Sequence, residues 1–468
     1  MKKRIILTSI ATFLITVSSV NLYPGISLAR IHDSQTEQKT DTPAIKKLFD
    51  TIDRNKENHV AFFQELIRAQ KGGEKSIQDF VAKRFEKMGG TVETVKFLPK
   101  DIMLKREFAA GETLRPKEGT NIVGTFPGTG EGRSLLVFAH HDVFPMPAEL
   151  DWTHDPVAGD IDGNKIIGWG TADDFGGIAI MAEAMNAIRL AGLRPGGDVY
   201  LCSVVSKSNS RGVVAVLERG YHADASIYLH PAESGVGLRE IQSVSSGVLR
   251  FRITVTGQRP VTTEPDDAPF AHRGVNAIDK GFIVIQALKK LDEQRGRRVY
   301  HKAIDDKVGR STNLLIGKIG TGSGKSFSQV PTEFTIGANL VFPPKESLEK
   351  VRQEVEEAVS RIAETDPWLK EHPPVIDWLI GADATEVSYQ HPIYLTVSNA
   401  IQTVTGIEPF VNPLHSLNDI RNPLLYSGIP TVGFGPFSGY GVKDEWVDVE
   451  DYIRAIKVAA QTIYEWTR

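Results

Sequence analysis

Three short segments of this chain carry side chains suited to holding a cation. His140-His141-Asp142-Val143-Phe144-Pro145 sets a histidine two residues before an aspartate, directly after the apolar run Ser134 to Ala139. That is the spacing of a metal-ligating imidazole and the carboxylate that orients it. Gly168-Trp169-Gly170-Thr171-Ala172-Asp173 brings Asp173 to a glycine-rich turn that opens a helical pattern. His230-Pro231 closes another apolar run, Ile227-Tyr228-Leu229. Taken together, His140, Asp173 and His230 would form a two-histidine, one-carboxylate set with an open position, the usual form of a catalytic zinc centre. Either histidine alone reads more simply as a core residue satisfied by local hydrogen bonds.

Positioning such groups requires strand ends. Ser134 to Ala139, Asp198 to Val205 and Ala223 to Leu229 are apolar runs of strand length, and Asp173 to Ala191 has helical periodicity, with Asp173 and Asp174 placed to cap it. Amphipathic helices are expected over about Pro43 to Met88. Strands alternating with helices predict an α/β fold with ligands at the strand ends. The character changes near Val248. An alternating strand from Leu249 to Thr256, a helix over 275–291, strands over 314–319 and 333–341, and a helix over 346–363 predict a smaller inserted α+β unit. Asp366-Pro367-Trp368 and His372-Pro373-Pro374 mark the return to the larger unit. The expected organisation is 43–247 with 367–468 as one domain and 248–366 as the other.

The chain has 468 residues, is 41% hydrophobic, and carries a formal net charge of −4. So small a charge gives no broad electrostatic case for nucleic acid. Residues 1–29 read as a secretory signal peptide: Met1-Lys2-Lys3-Arg4, an apolar stretch to Val20, and small residues at Ser27 and Ala29 for cleavage near Ala29. Residues 30–42 read as a polar linker. A secreted or periplasmic protein with no membrane span in its mature form is expected. Cys202 is the single cysteine, so no internal disulfide forms, and its apolar surroundings place it in the core.

The ordered set of motifs resembles the zinc metallopeptidase family of acetylornithine deacetylase, succinyl-diaminopimelate desuccinylase, aminoacylase and glutamate carboxypeptidase. The resemblance rests on the His140-x-Asp142-Val143-x-Pro145 turn, Trp152 with Asp155-Pro156, and Gly168-x-Gly170-x-x-Asp173 with Gly176-Gly177. Gly274 to Lys280, Asp419-Ile420-Arg421 and Gly428 to Val432 with Gly435-Pro436 extend it across the chain. It implies a zinc-peptidase-like catalytic domain interrupted by a lid that usually mediates dimerisation, hence a possible homodimer. It also implies hydrolysis of an amide bond in N-acyl amino acids or short peptides with a free carboxylate. Asp142 takes the orienting role, and Arg421 becomes a candidate for gripping the carboxylate of a small-molecule or peptide ligand, the alternative being a salt bridge to Asp419 or a neighbour.

The resemblance then breaks unevenly. The family binds two zinc ions. His230 stands where a carboxylate ligand is expected, so one zinc on His140, Asp173 and His230 can survive. Ser206 stands in place of the general base and Lys207 in place of a ligand to the second zinc; Gly441 falls at or near that ion's histidine. Val204 to Gly212 contains no carboxylate. Loss of the second zinc and of the base is therefore expected. A lid histidine near Val261 is absent, with His272 beside the wrong motif, and a family lysine two residues after Asp173 is Phe175. Three readings follow: an exported pseudo-hydrolase that keeps the ligand pocket; an atypical mononuclear-zinc hydrolase whose base comes from elsewhere, with Glu233 and His141 nearest in sequence; or a structural or interaction protein whose pocket is irrelevant.

Overall fold

The computed structural model describes residues 42–468 apart from 115–116, 148–149, 208–210, 231–234, 323–326 and 414–415. The signal peptide and all of the linker but Thr42 lie outside the described residues.

The apolar runs become neighbouring strands of one eight-stranded sheet. Its strands are β1 (Thr91–Phe97), β2 (Gly119–Phe126), β3 (Leu135–His140), β4 (Val199–Val204), β5 (Ala225–Leu229), β6 (Glu240–Gln242), β7 (Phe410–Asn412) and β8 (Thr431–Phe434). Their spatial order is β1-β2-β4-β3-β5-β8-β6-β7. The four central strands, β4, β3, β5 and β8, run parallel. All six residues of β3 are buried, as a parallel strand covered on both faces requires. Register aligns the ends: His140 lies opposite Val204, and Phe434 opposite Leu229. The segments that leave β3, β4 and β5 therefore emerge side by side at one edge, the place where parallel α/β sheets bind ligands.

The helix Gly176–Leu190 lies against this sheet with residues 176–188 all buried. Its first turn approaches β5 so closely that a Cβ on Gly177 would stand 1.9 Å from the Leu229 carbonyl oxygen. Only glycine fits there. The C-terminal helix Val449–Trp466 covers the same layer, and Arg211–Glu218 closes the opposite face over Cys202, which is fully buried.

A second, five-stranded antiparallel sheet has the order Asn313–Thr321, Glu333–Phe342, Gly247–Thr256, Val375–Ala382, Glu107–Ala109. The helices Ala277–Arg298 and Leu348–Ala363 pack on it and share its own apolar core. The helix expected over 275–291 runs two turns further because its polar end is anchored: Arg295 is buried and pairs with Glu346 and Glu354 at 2.6 and 2.5 Å. Asn276 caps its start by accepting a hydrogen bond from the Ile278 amide at 2.9 Å. The last strand, Glu107–Ala109, comes from before β2 and carries Glu107 toward Arg421. Among the described residues no helix is long and apolar enough to cross a membrane.

Candidate metal centre

Asp173 sits where the glycine-rich turn meets the helix that starts at Gly176. Both aspartates were expected to cap that helix, and only Asp174 does so. Its Oδ1 accepts from the Gly177 amide at 3.2 Å and its Oδ2 from the His140 amide at 3.0 Å. The Asp173–Asp174 peptide bond is cis, and Asp173 points instead to the strand ends. His140 Nε2 lies 2.7 Å from Asp173 Oδ1, and His230 Nε2 lies 3.3 Å from the same oxygen. One donor atom from each of His140, Asp173 and His230 falls within 4.8 Å of the others, and all three residues are buried.

His140 is fixed from behind. Its Nδ1 lies 3.0 Å from the Asp142 carbonyl oxygen, which leaves Nε2 as the nitrogen facing Asp173. The Asp142 carboxylate lies 3.5 Å from His140 Nδ1 and accepts from the amides of Ser206 and Lys207, each at 2.8 Å. Asn121 secures the same loop, accepting from the Val205 amide at 3.0 Å and donating to the Gly212 carbonyl at 2.9 Å. Together these contacts place the loop beyond β4 against Asp173. Lys207 Nζ donates to both Asp173 oxygens, at 2.8 and 2.6 Å, and lies 4.8 Å from the centre of the Phe144 ring.

The charges are strongly coupled. Burial and the Lys207 charge push the His140 imidazole down, but attraction to Asp173 and hydrogen bonds to Asp142 and Asp173 outweigh them and raise it to about 10. Burial would raise the Asp173 carboxyl, yet His140, His230 and Lys207 hold it well below the usual carboxylate range. Asp142 is likewise held down to about 2 against its burial, chiefly by its hydrogen bond to His140. Two carboxyls behind the site go the other way. Burial raises Asp174 to about 7, and burial with the nearby Asp173 charge raises Glu445 to about 7.

A cavity of about 390 Å³ opens over this group. Its lining includes His140, Asp173, Ser206, Lys207, His230, Asp419, Arg421 and, from the second sheet, the exposed Arg250. The Arg421 guanidinium is fully buried. Nε donates to Glu107 Oε1 at 2.7 Å, and Nη1 donates to the carbonyls of Leu417 and Asn418 at 2.5 and 3.0 Å. His141 lies away from the cavity, with Nδ1 2.9 Å from Ser203 Oγ and Nε2 3.3 Å from Gln78 Nε2. Glu233 lies outside the described residues. A smaller cavity of about 200 Å³ adjoins Asp173 and is walled by Phe144, Trp169, Tyr440, Gly441 and Glu445.

Two further carboxylates belong to this neighbourhood, and neither stood as a candidate catalytic or metal residue from sequence. Asp419, part of a motif and a possible salt-bridge partner of Arg421, also accepts a hydrogen bond from Ser206 Oγ at 2.6 Å. Glu445 accepts from the Ala172 amide at 2.9 Å and the Gly441 amide at 3.3 Å. Neither has a spacing signal, because each is brought in from the far end of the chain.

The profile of peptidase family M20/M25/M40 matches residues 136–465, well over half of the chain. The chain belongs to this family. Among relatives of the M20 chain is the N-formyl-4-amino-5-aminomethyl-2-methylpyrimidine deformylase of Halalkalibacterium halodurans, 27% identical over 448 residues, covering 90% of this chain and 97% of that protein. The acetylornithine deacetylase of Dictyostelium discoideum is 24% identical over 392 residues, covering 74% of this chain and 82% of that protein. In fold, the M20 chain is similar to an M20 family metallo-carboxypeptidase from Sulfolobus solfataricus, with a TM-score of 0.65 at 15% identity, covering 87% of this chain and 99% of that one.

Proposed function

We propose that this M20 chain is a single-metal hydrolase of an N-acyl amine, an N-acyl amino acid or a short peptide. The observation that carries the reading is the convergence of His140 Nε2, Asp173 Oδ1 and His230 Nε2 at the strand ends. Nitrogen and carboxylate donors of this kind suit zinc, and donors about 2.0–2.2 Å from a tetrahedral ion stand roughly 3.3 Å apart. The His230–Asp173 separation already fits, and the His140–Asp173 contact needs to open by about half an ångström. When bound, the ion would polarise the scissile carbonyl and lower the pKa of water. The protein's own residues do the rest. Asp142 and the strand register hold His140. Lys207 keeps a fixed positive charge on Asp173, where the two-zinc pattern implied by the family resemblance would place a second ion. The exposed Arg250 guanidinium offers a carboxylate of the ligand a partner, since the Arg421 fork is engaged by Glu107.

Support for N-acyl substrates comes from two relatives, named for removing a formyl and an acetyl group. Metal analysis of the purified mature protein, with assays on N-formyl and N-acetyl amines, N-acyl amino acids and dipeptides, tests the reading. One tightly bound zinc and turnover abolished by His230→Ala are expected; absence of both metal and turnover overturns it.

Ser206 at the general-base position and Gly441 near the second-ion histidine favour a second reading, a pseudo-hydrolase that binds a carboxylate-bearing ligand without cutting it. Bound metal and ligand affinity without turnover on any of these substrates would establish that reading instead. Export after cleavage near Ala29 belongs to the same proposal, and the N-terminal sequence of the mature protein tests it. A homodimer formed through the inserted 248–366 unit is tested by light scattering.

A further inference from the structure

The hydrolase reading needs a group to take a proton from water, and the Val204 to Gly212 stretch supplies no carboxylate. The fold supplies one from elsewhere. Ser206 Oγ donates to Asp419 Oδ2 at 2.6 Å, and both residues line the cavity shared by His140, Asp173 and His230. Serine is shorter than an acidic side chain, and its hydroxyl meets the Asp419 carboxylate directly. The other Asp419 oxygen lies 3.5 Å from Arg421 Nη1. Arg421 is itself held by Glu107 and two carbonyls, so Asp419 is braced against a fixed cation.

Other acids near the site are committed. Both Asp142 oxygens accept loop amides, Asp174 accepts from His140 and Gly177, and Glu445 accepts from Ala172 and Gly441 on the side of the smaller cavity. Glu107 faces Arg421. Among the described residues, Asp173 and Asp419 are the acids that line the large cavity, and Asp173 is the metal-ligand candidate.

We propose that Asp419, relayed through Ser206 Oγ, is the proton acceptor of this enzyme, taking the role of the carboxylate absent at 206. This rests on the hydrolase reading. A water in the cavity breaks one O–H bond, its proton passing to Ser206 Oγ as the seryl proton passes to Asp419 Oδ2. The hydroxide oxygen forms the new C–O bond at the acyl carbon. The C–N bond breaks, and the proton returns from Asp419 through Ser206 to the leaving nitrogen. The remaining hydroxyl proton of the new carboxylic acid ionises to the amine, giving carboxylate and ammonium with no other reagent.

The test uses metal-loaded wild type, Asp419→Asn, Asp419→Glu, Ser206→Ala and the double variant Ser206→Glu with Asp419→Asn. Three things are measured: turnover against pH, metal content, and proton uptake on binding a phosphinate analogue of the tetrahedral intermediate, by calorimetry in buffers of different ionisation enthalpy. General acid–base catalysis is worth about 10²–10⁴-fold, so Asp419→Asn should lose about that much kcat while keeping its metal. It should also lose the acid limb of the pH profile and the proton taken up with the phosphinate. Asp419→Glu should recover part of the loss, and the double variant should recover turnover by placing the carboxylate at 206. Turnover and proton uptake in Asp419→Asn within about threefold of wild type overturn the relay and leave the hydrolase reading standing; this is far less than the general-base effect. If Asp419→Asn fails to fold, Ser206→Ala decides, since unchanged kcat and an unchanged acid limb there overturn the relay. A wild type with metal but no turnover on any substrate overturns the hydrolase reading and the relay with it.

Discussion

Lys207 Nζ bonds both oxygens of the Asp173 carboxylate, at 2.8 and 2.6 Å, so this one acid joins an ammonium to the histidine pair. The ammonium is nearly buried and close to any cation held by His140, Asp173 and His230. Like charges at such range repel by roughly 1–4 kcal/mol at surface-like to aqueous dielectric. Lys207→Met should therefore tighten divalent-metal binding about tenfold or more, since about 1.4 kcal/mol is a factor of ten. A competition titration against a chelator reads this directly, and unchanged or weaker binding would show that the ammonium is not opposing the metal.

His230 carries the metal prediction. His230→Ala removes one of three donors, and the bound-metal stoichiometry after dialysis should fall from one to near zero while the protein stays folded. Elemental analysis and circular dichroism check the two halves of that statement.

Metal affinity should rise with pH. In the metal-free protein the His140 imidazole is raised to about 10 from an ordinary 6.5, so a metal must displace its proton throughout the neutral range. Apparent affinity should climb up to tenfold per unit between about pH 6 and 9. The same shift has the opposite sign for the stability of the metal-free fold. The native state holds the proton more tightly than the unfolded chain. The stabilisation is therefore fully present below about 6.5, the unfolded value, and is lost as pH rises toward 10. Denaturant midpoints of metal-free protein at pH 6.5 and 9.5 should fall in that order, and a flat profile would contradict the coupling.

Asp142 should matter for stability as well as for alignment. Its carboxylate satisfies the Ser206 and Lys207 amides, and an unsatisfied buried donor costs about 1–3 kcal/mol. Asp142→Ala should lower unfolding free energy by about 2–4 kcal/mol. Asp142→Asn, which keeps acceptor capacity on one oxygen only, should lose less. Urea denaturation of the three proteins orders them.

Cys202 should resist thiol reagents in the native state. It is fully buried, and burial pushes its thiol well above the ordinary range, whereas the thiolate is the reactive form. One thiol should titrate only after unfolding; native-state labelling at a rate comparable to a free thiol would place it elsewhere.

The sequence by itself determined the local pieces. Apolar runs of strand length, a glycine turn before a helix and the ordered motifs were enough for the α/β fold, for the family, and for His140, Asp173 and His230 as a set. Those signals are local: periodicity, a turn, a residue at the end of a run. Ser206 and Lys207 could also be read, because they sit one step beyond a strand whose end is visible. What only the tertiary structure decided is where the compensating charges come from. Lys207 on Asp173, Asp419 against Ser206, and Glu107 on Arg421 join segments 34, 213 and 314 residues apart. Sheet order and the second, antiparallel sheet, which draws in Glu107–Ala109 from before β2, create those neighbours. No spacing rule along the chain encodes them, since a carboxylate reads the same in sequence whether it faces solvent, a metal or a guanidinium.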